Sequence, residues 1–150
     1  MLNVNRRILI SAPYESVRTY LSDLSEIAHY EPKVDSLQLS PAGEPAQASG
    51  RFFGIPWRGT FNFEFKPDGG YRGVMVTGPL KRMECSVMIR PVNGGTMLEH
   101  VEDYELPLFL RPVTSLVRRW LDHTLELELD SIKERAEALN RRVQLQVLDN

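Results

Sequence analysis

The sequence predicts an α+β fold in which a curved antiparallel sheet of seven strands wraps around a long C-terminal helix. Two patterns support this prediction. The middle of the chain is a series of short apolar segments between turn signals, and one of them, Thr60–Phe65, alternates strictly between aromatic and polar residues. Such alternation indicates strands with one buried face. From Pro112 to about Arg142, apolar residues recur every three or four positions, which indicates an amphipathic helix.

Composition limits the class of protein. A chain of 150 residues, 42% hydrophobic and 25% charged, fits one domain, 1–150, with a substantial core. The net charge of −2 gives no basic surplus for nucleic acid. The single cysteine, Cys85, excludes an intrachain disulfide and a multi-cysteine zinc site. No secretory signal or membrane span is visible, so we expect a cytoplasmic protein.

The N-terminal region predicts one strand followed by two helices. Asn3–Ser11 carries apolar residues among polar ones and suits a strand. Pro13 and Glu15 then mark a helix start, because proline is tolerated in the first turn and an acid there suits the helix dipole. Apolar residues at helical spacing follow: Val17, Tyr20, Leu21 and Leu24. A second short helix or turn is predicted around Ser25–Tyr30, ending before Pro32.

Six consecutive strands are predicted next. They are Val34–Leu39, Gly50–Trp57, Thr60–Phe65, Tyr71–Thr77, Lys81–Pro91 and Thr96–Leu106. Ser40–Ala46 is rich in proline, glycine and alanine and indicates a loop, while Lys66–Gly70 and Asn93–Gly95 are strong turn signals. Short connections favour antiparallel pairing of neighbouring strands.

The final helix is predicted to be unusually long. A helix of about 30 residues is about 45 Å long, more than simple capping of a domain of this size requires. Its apolar stripe is formed by Leu121, Leu125, Leu129, Ile132, Ala136 and Leu139, and it is widened by Val117, Trp120 and Thr124. The helix is therefore long enough to cross the whole concave face of a sheet.

The last strand has one acidic face and one mixed face. The acidic face is formed by Met97, Glu99, Val101, Asp103 and Glu105, and the mixed face by Leu98, His100, Glu102, Tyr104 and Leu106. Three acids belong in water, so we expect the mixed face to point inward, with about 7 Å between alternate residues. His100, Glu102 and Tyr104 are therefore candidates for ligand anchoring or acid–base catalysis, or for a polar network that ties the sheet to the final helix. Glu128 lies within the helix stripe and could pair with His100, although a solvated position is the commoner outcome.

Four motifs in order resemble a known superfamily. They are Ser11–Val17, Asp23-Leu24 followed by Tyr30–Val34, Gly94–Thr96, and Tyr104–Pro107. Together with the order of elements, they resemble the helix-grip fold of the START-like, Bet v 1-like or SRPBCC superfamily. The polyketide cyclase/dehydrase and lipid-transport branch is the most similar. The resemblance implies an internal cavity, because a curled sheet and a helix laid across it leave space that side chains do not fill.

The expected cavity gives a set of candidate ligand-binding residues. They are Phe61, Phe63, Val87, Ile89, Leu98, His100, Glu102, Tyr104, Phe109, Val117, Trp120, Leu121 and Thr124. Cys85 shares the inward face of its strand and is expected to pack, because burial raises the pKa of a thiol and makes it inert. No cofactor or metal is expected, since His29 and His123 lack partners at ligand spacing and no phosphate-binding glycine loop is present.

The apolar loop 106–112 joins the last strand to the final helix. It could be a plug on the cavity mouth, a mobile gate, or a transient membrane contact, and Arg111, Arg118 and Arg119 nearby favour an anionic surface.

Three functions follow. The leading one is binding or transport of a small lipid-like or polycyclic ligand by a non-enzymatic protein. The second is a polyketide cyclase, aromatase or dehydratase that works without metal. The third is a protein-interaction module that uses loop 106–112. A monomer or weak homodimer is expected.

Overall fold

The computed structural model describes residues 1–149, and it confirms the α+β helix-grip fold. All seven strands form one antiparallel sheet in the order β1-β7-β6-β5-β4-β3-β2. The strands are β1 Leu2–Ile10, β2 Val34–Gln38, β3 Ala46–Phe52, β4 Ile55–Phe65, β5 Tyr71–Thr77, β6 Arg82–Val92 and β7 Gly95–Glu105. The α-helices are α1 Tyr14–Ser22, α2 Ile27–Tyr30 and α3 Thr114–Asp149, and two 3₁₀ helices span Leu24–Glu26 and Leu108–Val113.

The two edges of the sheet are the strands closest to the N-terminus. β1 pairs with the last strand, β7, from Leu2 opposite Tyr104 to Ile10 opposite Thr96. The segment that contains α1 and α2 then carries the chain to β2 at the other edge. Every other neighbour in the sheet is also a neighbour in sequence, as expected for strands joined by short turns.

The hairpin between β3 and β4 differs from the sequence prediction. Gly50–Trp57 was expected to be one strand, but the chain reverses inside it at Phe53 and Gly54. Both residues have positive φ, 51° and 80°, and Phe52 pairs with Ile55 across the turn. A two-residue turn with positive φ at both positions matches the twist of the flanking strands. Phenylalanine is an uncommon residue at such a position, which is why the turn was not apparent.

Helix α3 spans 36 residues, about 54 Å. It begins at Thr114, two residues after the predicted start at Pro112, because Leu108–Val113 forms a 3₁₀ helix. It also continues beyond the predicted end near Arg142. Its buried residues stop at Ala136, so the last part of the helix projects beyond the sheet.

The core lies between α3 and the face of the sheet that curls around it. The buried stripe of α3 packs against inward residues of β1, β6 and β7, such as Val4, Val87 and Leu98. Within the described part of the chain, no helix is both long enough and apolar enough to cross a membrane.

A cavity with a buried cluster of charged residues

A cavity lies between the sheet and the helices, mainly on the side of the sheet formed by β2 to β6. Its lining residues are Ile27, Glu31, Lys33, Val34, Leu37, Ala48, Phe52, Trp57, Phe61, Phe63, Tyr71, Met75, Pro79, Leu80, Met83, Cys85, His100, Tyr104 and Glu128. The cavity has a volume of at least roughly 260 Å³.

The period-two geometry of the strands builds the apolar wall. Each strand contributes alternate residues, for example Phe61 and Phe63 from β4 and Met83 and Cys85 from β6. Gly73 of β5 leaves room for two of these side chains. A Cβ added at this glycine would lie only 2.9 Å from Phe63 Cε1 and 3.0 Å from Cys85 Sγ.

Aromatic rings form a continuous surface along this wall. The ring centroids of Trp57 and Phe61 are 5.9 Å apart, those of Phe61 and Phe63 are 6.2 Å apart, and those of Phe63 and Tyr71 are 6.0 Å apart. These separations lie in the favourable range for aromatic pairs. Tyr71 is held from behind by a hydrogen bond between its hydroxyl and that of Tyr30, at 2.7 Å.

One end of the cavity is charged. The side chain of Lys33, which is only 5% exposed, lies between two carboxylates. Its Nζ is 2.8 Å from Glu31 Oε1 and 3.3 Å from Glu102 Oε2. The backbone N–H of Lys33 also donates to Glu31 Oε1, at 3.0 Å. Glu31 and Lys33 lie between α2 and β2, whereas Glu102 lies on β7, so this contact joins opposite parts of the sheet.

His100 and Glu128 complete the cluster. His100 Nδ1 is 3.2 Å from Glu128 Oε1, and His100 Nε2 is 4.0 Å from Glu102 Oε2. All three side chains are essentially inaccessible to solvent. Several polar atoms in the cluster are buried without a well-directed hydrogen bond: Lys33 Nζ, both ring nitrogens of His100, both carboxylate oxygens of Glu102, Tyr104 Oη and Glu128 Oε2. Some of these atoms form the ion pairs described above, but the incomplete hydrogen bonding is costly. The polar atoms of His100, Tyr104 and Glu128, which line the cavity, are therefore suited to contact a bound molecule.

The pKa values of Glu31 and Glu128 are shifted in opposite directions. Burial raises the pKa of Glu128 well above its ordinary value, and the charges of Glu31 and Glu102 raise it further. Burial would also raise the pKa of Glu31, but the adjacent ammonium of Lys33 and the hydrogen bonds from Glu128 and Lys33 together outweigh it and lower the pKa. Burial alone would lower the pKa of Lys33, yet Glu102 and Glu31 raise it well above its ordinary value. Glu128 is therefore the carboxyl group of the pair that retains a proton more readily.

The remaining groups at this end favour their protonated forms. Burial alone would lower the pKa of His100, but its interactions with the Cys85 thiol and the charge of Glu102 raise it. Burial raises the pKa of the Cys85 thiol and, more strongly, that of the Tyr104 hydroxyl. A high pKa makes Cys85 a poor nucleophile.

Three residues of the cluster have side chains of the kind that bind metal ions. His100, Glu102 and Glu128 offer donor atoms that all lie within 4.8 Å of one another. Sequence spacing did not indicate this group, because β7 and α3 contribute the residues at no metal-ligand spacing. However, Lys33 Nζ already lies 3.3 Å from Glu102 and supplies the positive charge that a metal ion would bring. The arrangement thus suits an ammonium group better than a metal.

A family model described as polyketide cyclase/dehydrase and lipid transport matches residues 1–137. The chain belongs to this family. A search of curated proteins finds no match to its sequence.

Solved structures of similar fold agree with this family assignment. A protein from Thermus thermophilus superposes with a TM-score of 0.79 at 24% identity, over 91% of this chain and 97% of that chain. A START superfamily protein from Mycobacterium smegmatis gives 0.77 at 17% identity, over 91% and 98%. The aromatase/cyclase Zhui from Streptomyces sp. R1128 gives 0.75 at 17% identity, over 94% of each chain. At these identities the likeness concerns the fold.

The structure divides the predicted site residues of this polyketide cyclase/dehydrase family member into three groups. Four line the cavity: Phe61, Phe63, His100 and Tyr104. Others are packed in the core beside it: Val87, Ile89, Leu98, Glu102, Val117, Leu121 and Thr124. Two lie elsewhere, since Phe109 is 67% exposed and half-buried Trp120 stacks on Phe53 at a centroid distance of 5.8 Å. The core group arises because α3 covers β1 and β7 and fills that half of the sheet.

Two charged residues of the site were absent from the prediction. Glu31 and Lys33 were noted only as part of the motif Tyr30–Val34, yet both are buried at the cavity end. They precede β2, where no strand or helix period indicates which way a side chain points. Glu128 is buried and pairs with His100, so the solvated position expected as the commoner outcome is wrong. Phe65 does not join Phe61 and Phe63, because it ends β4 beside the turn and is 54% exposed.

Loop 106–112 is partly packed and partly exposed. Leu106 and Leu110 are buried, whereas Leu108 and Phe109 of the 3₁₀ helix are about two-thirds exposed. None of these residues lines the cavity as the structure describes it. The roles of the loop as gate or membrane contact remain predictions.

Proposed function

We propose that the protein binds a small, largely apolar molecule in the cavity, with one polar group placed at the charged end. The observation that supports this most is the combination of an aromatic wall with buried polar atoms at one end whose hydrogen bonding is incomplete. Ligand sites typically join an apolar lining to a few convergent polar groups. The family and fold fit the same function.

The volume suggests the size of the ligand. A void of roughly 260 Å³, filled at the density of a protein interior, holds roughly 190 Å³ of atoms. This is about the size of a molecule with a dozen non-hydrogen atoms, such as two fused rings with a short substituent.

A wider groove between α1 and α3 is a weaker candidate. It is lined by charged and polar residues, including Asp23, Glu134 and Arg135, and it is open to solvent. A ligand bound at such a surface would compete with water for every polar contact, whereas the cavity offers both apolar burial and desolvated polar atoms.

The test is a titration with 2-naphthalenemethanol, followed by calorimetry or by the fluorescence of the naphthalene ring. We expect saturable binding of one molecule per chain. Met75→Trp should block the cavity, because Met75 lines it. Val76→Trp is the matched control, since Val76 is the next residue of β5, points to the other face and is exposed. Equal binding by both variants would refute the cavity as the site.

A second candidate is acid–base catalysis on a ketone-bearing chain. Its support is that Glu128 and His100 both line the cavity, 3.2 Å apart, and both favour protonation. Two proton donors aimed at a carbonyl oxygen would stabilise the negative charge that develops there during enolisation or cyclisation. The test is deuterium exchange at the α-carbon of 2-acetylnaphthalene. Exchange that is equal with and without protein, or equal in wild type and Glu128→Gln, would exclude this candidate.

A further inference from the structure

We infer that the cavity selects ligands by charge: it prefers an apolar molecule with a primary amine and discriminates against one with a carboxylate. This inference rests on the proposed function and names the class of ligand. It follows from the numbers of acidic and basic groups at the charged end.

Acidic groups outnumber permanent cations around Glu128. The ionisable groups around it come from every neighbouring element: Glu31 and Lys33 before β2, His100, Glu102 and Tyr104 on β7, Cys85 on β6, Tyr71 on β5 and Tyr30 on α2. Three of these buried groups, with Glu128 included, are carboxyls, and one is an ammonium.

A buried cluster of this composition needs protons to approach neutrality. With Glu31, Glu102 and Glu128 all ionised, Lys33 alone would leave two uncompensated negative charges when His100 is neutral. Net charge in a desolvated site is costly, so protons are retained instead. The proton on Glu128 and the proton shared by His100 with its neighbours bring the cluster towards neutrality.

An ammonium group on a ligand could replace one of these protons. Glu128 lines the cavity, where its carboxyl group shares a hydrogen bond with that of Glu31, a contact that requires a proton between the two groups. If a ligand ammonium approaches these two carboxyl groups, Glu128 can release its proton while the total charge of the site stays the same. The exchange forms a charge-assisted hydrogen bond, which is stronger than a neutral one.

A ligand carboxylate has no comparable route. Lys33 is the only lysine in the cluster, and Glu31 and Glu102 already hold it at 2.8 and 3.3 Å. A protonated His100 is likewise matched by Glu128, at 3.2 Å, and by Glu102, at 4.0 Å. The ligand would therefore have to bind in its protonated form. An acid with a pKa near 4.3 is protonated in only about one molecule in 500 at pH 7, so its apparent affinity falls by roughly the same factor.

The experiment compares three probes with one skeleton: 2-naphthylmethylamine, 2-naphthalenemethanol and 2-naphthoate. Affinities are measured by calorimetry at pH 7 with EDTA present, in two buffers of different ionisation enthalpy. We expect the amine to bind at least tenfold more tightly than the alcohol, and the naphthoate at least tenfold more weakly than the alcohol. The amine alone should release close to one proton to the buffer.

Glu128→Gln should lower the ratio of amine affinity to alcohol affinity at least tenfold and abolish proton release. Glu126→Gln is the matched control, because Glu126 lies on the same helix, is exposed and pairs with Arg6 at the surface. If Glu128→Gln does not fold, proton release by the wild-type protein decides the question.

The outcomes separate the two proposals. If none of the three probes binds, the proposed function fails. If the alcohol binds but the naphthoate binds as tightly as the amine, or the amine binds without proton release, the charge selection is refuted and the proposed function stands.

Discussion

Replacing Lys33 with methionine tests whether the buried cluster stabilises the fold. Methionine has a similar length, but it removes the ammonium that lies 2.8 Å from Glu31 and 3.3 Å from Glu102. Removing one partner of a buried ion pair leaves an uncompensated charge and typically costs about 3–5 kcal/mol. In a domain of this size, 1 kcal/mol corresponds to about 2–4 °C, so we expect the melting temperature to fall by about 6–20 °C.

The pH dependence of this loss has a defined sign. Lys33 lowers the pKa of Glu31 in the folded protein, so this contribution is present above the ordinary value of 4.5 and is lost as the pH falls through the lowered pKa. The difference between wild type and Lys33→Met should therefore be largest near neutral pH and shrink in acid. Urea unfolding followed by tryptophan fluorescence at pH 7 and at pH 4 measures it.

Lys133→Met is the control for this experiment. Lys133 pairs with Glu137 on the outer part of α3, where both side chains are partly exposed. A pair of this kind contributes about 0–1 kcal/mol, and the hydrogen bond from Lys133 Nζ to the Leu9 carbonyl adds about 0.5–1.5 kcal/mol, so the control should lose less than about 2.5 kcal/mol. If Lys33→Met loses less than about 1 kcal/mol at pH 7, the ionic interactions assigned to Lys33 are refuted.

Three further predictions concern other parts of the molecule. Because the pKa of Glu128 is raised in the folded protein, this group contributes stability that is complete below pH 4.5 and is lost as the pH rises through the folded-state pKa. Glu128→Gln should therefore flatten the dependence of the free energy of unfolding in urea on pH. An unchanged dependence would contradict this. Gly73→Ala should weaken binding of 2-naphthalenemethanol at least tenfold, because the new methyl would push Phe63 towards the cavity; equal affinity in calorimetry would refute it. Leu108→Ser and Phe109→Ser should change the free energy of unfolding by less than about 0.5 kcal/mol, because both are exposed; a loss above about 2 kcal/mol would show that they are packed.

Regular periodicity explains what could be predicted from the sequence. A strand places alternate residues on opposite faces. The three acids on one face of β7 were therefore enough to predict that His100 and Tyr104 point inward. The stripe of α3 likewise indicated its buried side and placed Glu128 within it. These features follow from the local geometry of strands and helices, which the order of residues in a single sequence indicates.

Features outside regular elements could not be predicted in the same way. Lys33 lies between α2 and β2, and its burial between carboxylates depends on the contact of this segment with Glu102 of β7, which only the tertiary structure shows. The cavity wall raises a related difficulty, because Leu98 and Tyr104 share a face of β7 but only Tyr104 contacts the cavity. Which inward residues meet empty space depends on where α3 crosses the sheet, and that is a property of the tertiary fold.

A crystal structure of the protein with 2-naphthylmethylamine tests the central claim most directly. We predict that the naphthalene rings pack against Phe61 and Phe63, with the amine nitrogen within hydrogen-bond distance of Glu128. Density for the probe only in the groove between α1 and α3, with the cavity unoccupied, would contradict this claim.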